Sequence, residues 1–280
     1  MKRLYSIPVL ALCLTALMAT GCQKQIDQLK ARNELNKGVK AFSAGEFDTA
    51  AERFETAMEL DPGLTDARNY LAYAQMQQYN LSGDEAKGQQ AIAGFKQVLE
   101  EEPDNALAVG LLASMYFERK DFDESEKWHR RRIEILKKKA ASAKDGKVDP
   151  LAGESYYSIG VMKWTQSYEP RMKVRAELGM KPDDPGPIKD EEKRKEIAAV
   201  TIPRIQEGIE ALNNALEINP NYADAMAYLN LLNRERADYA DSPEEYEEYM
   251  SKADEWVEKT LATKRRLAEE STVDMFVEGQ

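Results

Sequence analysis

The chain is poor in the residues that build covalent or metal frameworks, with two cysteines and one histidine in 280 residues. A disulfide scaffold or a structural zinc site cannot be assembled from that stock. Nor does His129 have a second histidine or a spare thiol from which to build a catalytic triad. Basic charge is also scarce, and the net charge is −11. Residues 1–21 carry Lys2 and Arg3 and no acids, so without them 37 bases face 50 acids, or −13. Non-specific nucleic-acid binding needs the opposite balance. No glycine-rich phosphate loop is present. The apolar run Ile7–Met18 is about twelve residues, short of the ~20 a spanning helix needs. With 50 acids, nearby carboxylate pairs are inevitable and do not signal acid–base catalysis.

What is present is a beat. Ala50, Phe54, Ala57 and Pro62 return as Ala91, Phe95, Val98 and Pro103, and again as Gly208, Leu212, Ala215 and Pro220. Residues four and three apart share one helix face. The small members let a second helix come close, and the proline stops the helix and suits the first turn of the next. Gly38, in LNKGVKAFSAGEF, stands twelve residues before Ala50. Leu71-Ala72, Leu112-Ala113, Ile159-Gly160 and Leu229-Asn230 occupy the corresponding place in later copies. In the third copy Ser125 and His129 take the small and bulky slots, which reads His129 as a core or half-buried histidine and not a catalytic one.

This pattern resembles the tetratricopeptide repeat (TPR) family from residue 31 to about 261. Glu34 and Ala41 stand where the family prefers Trp and Tyr. The resemblance implies an all-α fold: a TPR-like helical-hairpin solenoid of about five irregular repeats, with a helical insertion and a C-terminal capping helix. In that family, positions five, nine and twelve of each repeat line a partner-binding groove. Here the candidate groove residues are Leu35, Val39 and Phe42, then Asn69, Tyr73 and Met76. Gly110, Ser114 and Phe117 follow, then Tyr157, Val161 and Trp164, and last Ala227, Leu231 and Arg234. Either a protein or peptide docks on this series, or the insertion or the final helix covers it.

The insertion spans 168–205. Met172–Met180 reads as a short helix stopped by Gly179 and Pro182, DDPGP as a rigid turn, and Lys189–Val200 as a charged helix ended near Pro203. Its placement between two halves of one repeat predicts an appendage outside the core. Together with AMAYLNLLNRERAD around Tyr228, it resembles a group of bacterial TPR proteins, which supports the family and supplies no activity. Ser242-Pro243-Glu244-Glu245 reads as a capping box opening the last helix, with Tyr246, Tyr249, Ala253, Trp256, Val257, Thr260 and Leu261 as one stripe. Fraying is expected from Lys264, with 271–280 a flexible tail. Arg130–Arg132 and Lys137–Lys139 read as a solvated face, or else as a contact for anionic headgroups.

The N-terminus has a basic start, an apolar core and Ala19-Thr20-Gly21-Cys22, the layout of a secretory signal. The small-small-Gly-Cys end resembles the lipobox of bacterial lipoproteins, with Ala19 where Leu is usual. That resemblance implies removal of residues 1–21, Cys13 among them, and acylation of Cys22, whose chains would hold the protein in a bilayer. An ordinary signal leaving a free thiol is the alternative. Gln23, where an inner-membrane lipoprotein would carry Asp, implies the outer membrane, facing the periplasm. Helix-forming sequence begins near Gln25, so residues 22–30 are a short tether before a TPR domain at 31–270.

The expectation is therefore an envelope-anchored, non-enzymatic scaffold for a protein or peptide partner, with no cofactor, no metal and no nucleic acid. The rivals are an outer-membrane or pilus assembly lipoprotein, a structural envelope component that self-associates through its repeats, and an enzyme in which the insertion lends a site to the repeats.

Overall fold

Gly38 has no room for a side chain, because a Cβ there would stand 2.4 Å from Phe54 Cε1. Gly160 repeats the arrangement, 2.5 Å from Leu212 Cγ. In both pairs the small slot of a first helix receives the bulky slot of the second, which sets how closely the two pack. In a computed structural model of the chain, the backbone is described for residues 7–278 and the side chains for residues 23–270. Cys22 and the other signal and tether positions up to residue 22 therefore lie outside the described side chains. Among the described residues every helix or strand is an α-helix, and the helices fall into five pairs. These are α1 (Ile7–Ser43) with α2 (Phe47–Leu60), α3 (Thr65–Ser82) with α4 (Glu85–Glu101), and α5 (Ala106–Glu118) with α6 (Phe122–Ser142). Then follow α7 (Pro150–Glu177) with α8 (Glu191–Ile218), and α9 (Ala223–Ala237) with α10 (Pro243–Glu278).

The repeat phase holds. Ala50, Ala91, Ser125, Gly208 and Ala253 are all buried, as are Phe54, Phe95, His129 and Leu212. Val257, in the fifth bulky slot, is half-buried. α2, α4 and α8 end just before Pro62, Pro103 and Pro220. Those prolines lie in the turns, three residues ahead of Thr65, Ala106 and Ala223, and outside the first turn of the next helix.

The chain divides into two compact units between Met115 and Tyr116, within α5. In the first unit α1 packs on α2, α2 on α3 and α3 on α4, with α1 also touching α3. In the second, α6 packs on α7, α7 on α8, α8 on α9 and α9 on α10, with α7 also touching α9.

The insertion departs from expectation. Instead of an appendage with its own short helices, residues 168–205 lengthen α7 and α8, which run unbroken through Pro170 and Pro203. Only the connection after Glu177 is irregular, and Gly179 opens it at φ +67°. An interior proline costs about 3 kcal/mol because it removes a donor and crowds the preceding turn. Packing overrides that cost here. Ser167, Arg175, Ile188, Thr201 and Ile205 are buried, with Ile188 and Ile205 in one core cluster with Leu212, Leu229 and Leu232. The carbonyl that Pro170 cannot bond is that of Gln166, and Arg204 Nη1 of α8 donates to it at 3.2 Å.

The chain ends also differ from expectation. α1 begins at Ile7, ahead of Gln25, through a stretch rich in Ala, Leu and Met. α10 continues to Glu278 because no glycine or proline interrupts it, and Arg266 bonds Glu270 at 2.8 Å and Asn221 at 2.5 Å. The α10 start keeps the first bond of a capping box, and only the return bond is displaced by one residue. Ser242 Oγ accepts from Glu245 N at 3.1 Å, while the Glu245 carboxylate accepts from Asp241 N at 2.8 Å. The stripe of α10 is half-buried or buried except Leu261, which is 59% exposed.

Candidate functional site

Two faces carry the groove positions. In the first unit Leu35, Val39 and Phe42 of α1 and Tyr73 of α3 are half-buried, and Met76 is buried. The Phe42 ring centre lies 5.0 Å from that of Tyr73 and 5.2 Å from that of Phe47. Leu35, Val39 and Phe42 rest on a cluster formed by Ala41, Ala50, Ala51, Phe54 and Ala74. Consecutive first helices thus present a continuous, partly exposed aromatic and aliphatic strip. Gly110 is buried and Ser114 exposed.

In the second unit Tyr157 sits between Tyr222 at 4.9 Å and Tyr228 at 5.7 Å. Trp164 packs on Tyr228 at 5.4 Å and Tyr168 at 5.0 Å, with Val161 half-buried on the same helix. Burial, first of all, pushes the phenols of Tyr157 and Tyr222 up to about 12, so both remain donors at neutral pH. Arg234 bonds Asn230 at 2.8 Å and Asp254 of α10 at 2.6 Å. Phe117 is half-buried, meets Phe122 edge-on at 5.7 Å and packs against the cluster of Ile133, Ile159, Met162 and Ala211. Its repeat has lost the usual closing proline, and α6 runs on to Ser142.

The basic runs on α6 are not one solvated face. Arg132 is buried, Arg130 bonds Glu126, and Lys137 donates to Tyr156 Oη at 2.8 Å. His129 is a core residue, and burial, with Arg132 adding to it, pushes its imidazole down to about 4. Nearby, Lys163 is held by Glu126 at 2.8 Å and Glu207 at 2.5 Å. Burial opposes its charge, but the two carboxylates outweigh it and raise its pKa.

The lengthened hairpin builds a cavity that the groove pattern did not foretell. It lies among α7, the connection after it, α9 and α10, with a volume of about 420 Å³. Trp164, Tyr168, Tyr246, Leu231 and Met250 give it apolar walls, and Pro182 to Gly186 form a rim. Four charged groups sit at its base. Arg175, 2% exposed, donates from Nη1 to both oxygens of Asp238 at 2.9 and 3.0 Å. Its Nη2 donates to the carbonyls of Lys181 and Asp184 at 2.9 and 2.6 Å, which fixes the rim. Arg171 Nη1 donates to Asp238 at 3.1 Å, and its guanidinium stacks 5.4 Å from the Tyr168 ring centre. Glu235 Oε2 accepts from Ser167 Oγ at 2.6 Å. Burial pushes the Glu235 carboxyl up to about 7 against the pull of Arg171 and Ser167. Burial likewise raises Asp238, against Arg171 and Arg175. In the sequence only the density of charge in MKVRAE and NRERAD hinted at this cluster, since its partners lie 63 to 68 positions apart.

Among the described residues no group of three or more His, Cys, Asp or Glu side chains is placed to hold a metal ion. No described helix is long and apolar enough to cross a membrane.

Residues 35–93 and 84–140 each match a family model described as tetratricopeptide repeat. Among solved structures the chain is similar to a crystal structure of MamA protein, at 14% identity over 86% of this chain and 94% of that one, with a TM-score of 0.56. It is also similar to MamA from residue 41 to its end, from Desulfovibrio magneticus RS-1, at 15% identity, 85% and 96% coverage, and a TM-score of 0.54. At such identities the likeness is one of fold. No curated protein matches.

Proposed function

The chain is a tetratricopeptide-repeat protein, and from that premise we propose that it is a lipid-anchored scaffold of the cell envelope which holds a protein or peptide partner on the first-helix faces of its repeats. The observation that carries the reading is the strip of Leu35, Val39, Phe42 and Tyr73, where rings from successive first helices touch yet remain half-exposed. Aromatic anchors in such a setting supply most of the energy of a protein contact. TPR folds serve as protein-binding scaffolds, and the family is generally non-enzymatic.

The envelope address rests on Cys22 at the end of a basic-apolar-small leader. Two or three acyl chains at ~0.8 kcal/mol per buried methylene hold a protein in a bilayer. A narrower version makes the chain an assembly lipoprotein of the outer membrane or of pili. Self-association through the repeats would instead make it a structural component.

One experiment in intact envelopes addresses both halves. Wild type, Cys22→Ala and the double variant Phe42→Ala, Tyr73→Ala are crosslinked, fractionated and captured. The cysteine variant is expected to leave the membrane fraction and to incorporate no labelled acyl chain. The double variant is expected to stay anchored and helical but to lose its partner, with each truncation costing about 2 kcal/mol of binding. Unchanged fractionation of Cys22→Ala, with no acyl label in wild type, refutes the anchor. Unchanged capture by the double variant refutes the strip as the binding surface.

A further inference from the structure

The base of the second-unit cavity is unevenly satisfied. Asp238 has both oxygens taken by Arg175 and Arg171. Both terminal nitrogens of Arg175 are engaged, and Arg234 is tied to Asn230 and Asp254. Glu235 also lines the cavity and is 1% exposed. Its Oε2 is bonded to Ser167 and the Trp164 indole also favours the ionised carboxyl, but its Oε1 makes no hydrogen bond of ordinary geometry, with Arg171 Nη2 3.9 Å away. A buried carboxyl oxygen left in this condition costs the desolvation of that atom. The inner Nε of Arg171 and Arg175 make no bond of that geometry either, nor does the buried Tyr239 hydroxyl, which feels the charges of Glu235, Arg171 and Asp238.

The rings of Trp164, Tyr168 and Tyr246 line the same cavity. Aromatic faces attract ammonium and guanidinium groups, the more so where water is displaced. The formal charge of the lining points the same way, with Arg171, Arg175 and Arg234 set against Asp183, Asp184, Glu235 and Asp238. Glu244, Glu245, Glu247 and Glu248 extend the acidic surroundings along α10. An anion entering here would meet four carboxylates and arginines whose outer nitrogens are mostly committed.

We propose that this cavity is a subsite for a basic side chain of the partner, an arginine or lysine whose head group lies among Trp164, Tyr168 and Tyr246 and donates to Glu235 Oε1. The proposal deepens the scaffold reading and rests on it, since it names the chemistry of a partner segment at a site separate from the Phe42–Tyr73 strip. Arginine suits the shape best, because its planar head can stack on a ring while one edge donates to the carboxyl.

The test uses the full chain with ¹⁵N-labelled tryptophan, in which Trp164→Phe identifies the Trp164 indole signal among the three tryptophans. Capped Gly-Arg-Gly, Gly-Lys-Gly, Gly-norleucine-Gly and Gly-Glu-Gly are titrated separately. The Arg and Lys peptides are expected to move the Trp164 signal saturably, and at least tenfold more tightly than the norleucine and Glu peptides. Glu235→Gln keeps the Ser167 contact and removes the charge. Tyr246→Ala removes a half-buried wall, so the test survives if the first variant folds poorly. Each should weaken the Arg peptide about tenfold or more. Norleucine binding as well as arginine, a preference for the Glu peptide, or no saturable shift with any peptide overturns the proposal. Because the Phe42–Tyr73 strip is probed by partner capture, failure here leaves the scaffold reading standing, and failure there leaves the subsite standing.

Discussion

The two units solve one packing problem with different materials. In the first, helices of 14, 18 and 17 residues follow α1, and their contacts are set by small and bulky residues in register. Gly38 lies under Phe54, Gly94 faces Ala72, and the buried polar side chains are Gln75 and Gln78. In the second, α7 and α8 are 28 residues each, both contain an interior proline, and the buried side chains include Arg132, Lys163, Arg175, Glu235 and Asp238. A repeat of ordinary length needs only a groove and a ridge. A repeat whose helices overshoot their neighbours must bury what lies beyond the ridge, and here that excess is apolar at Met180, Ile188 and Ile205 and charged at Arg175, which pairs with Asp238.

The largest expected difference between the units comes from Asp238. Replacing it with Ala strands Arg175 and Arg171, and breaking a buried pair of this kind typically costs about 3–5 kcal/mol. Hydrogen exchange should rise throughout α7 and α9 while α2 and α3 keep their protection. Equal loss in both units would show that the charge cluster is not particular to the second.

A pH series sharpens the contrast next. Glu235 titrates at about 7 when folded, above its ordinary value of 4.5. The unfolded chain therefore releases this proton first, and stability falls as pH rises between those two values, by roughly 3 kcal/mol at 1.36 kcal/mol per unit. His129 acts in the opposite sense. It is held neutral down to about 4 against an ordinary 6.5, so its contribution is present above 6.5 and is lost as pH falls toward 4. In wild type the two slopes offset where they overlap. In Glu235→Gln the Glu235 slope is gone while that of His129 and the opposing one of Asp238 remain, so denaturant unfolding should show stability tilted upward with pH from 4.5 to 6.5 relative to wild type. An identical pH profile in wild type and variant removes Glu235 from the account.

The smallest effect is that of Arg204→Met, which keeps the stem and deletes the donor to Gln166. A loss of about 1–2 kcal/mol is expected for a part-buried carbonyl left without its partner. No change in the unfolding midpoint would mean that water serves that carbonyl equally well.

Most of the fold was legible because its rule is local. Ala50 with Phe54, Ala91 with Phe95 and Gly208 with Leu212 each state their own face within one turn of helix. The groove positions were legible as positions, but their fates depended on neighbours the pattern does not contain. Phe117 stays half-buried and pairs with Phe122 against one core cluster, and Trp164 lines a cavity. The insertion is not legible in the sequence for a physical reason. Proline predicts a helix end only when nothing distant replaces the lost bond, and neither Arg204 nor the Arg175–Asp238 pair is visible within any short window.

The bond from Arg204 to the Gln166 carbonyl also makes two distant positions interdependent. With Pro170 in place, removing Arg204 takes away the donor that this carbonyl uses, whereas with an ordinary residue at 170 the helix supplies its own donor and the arginine becomes dispensable there. The two substitutions are therefore expected to be non-additive, and a double-mutant cycle on Pro170 and Arg204 reads the coupling directly.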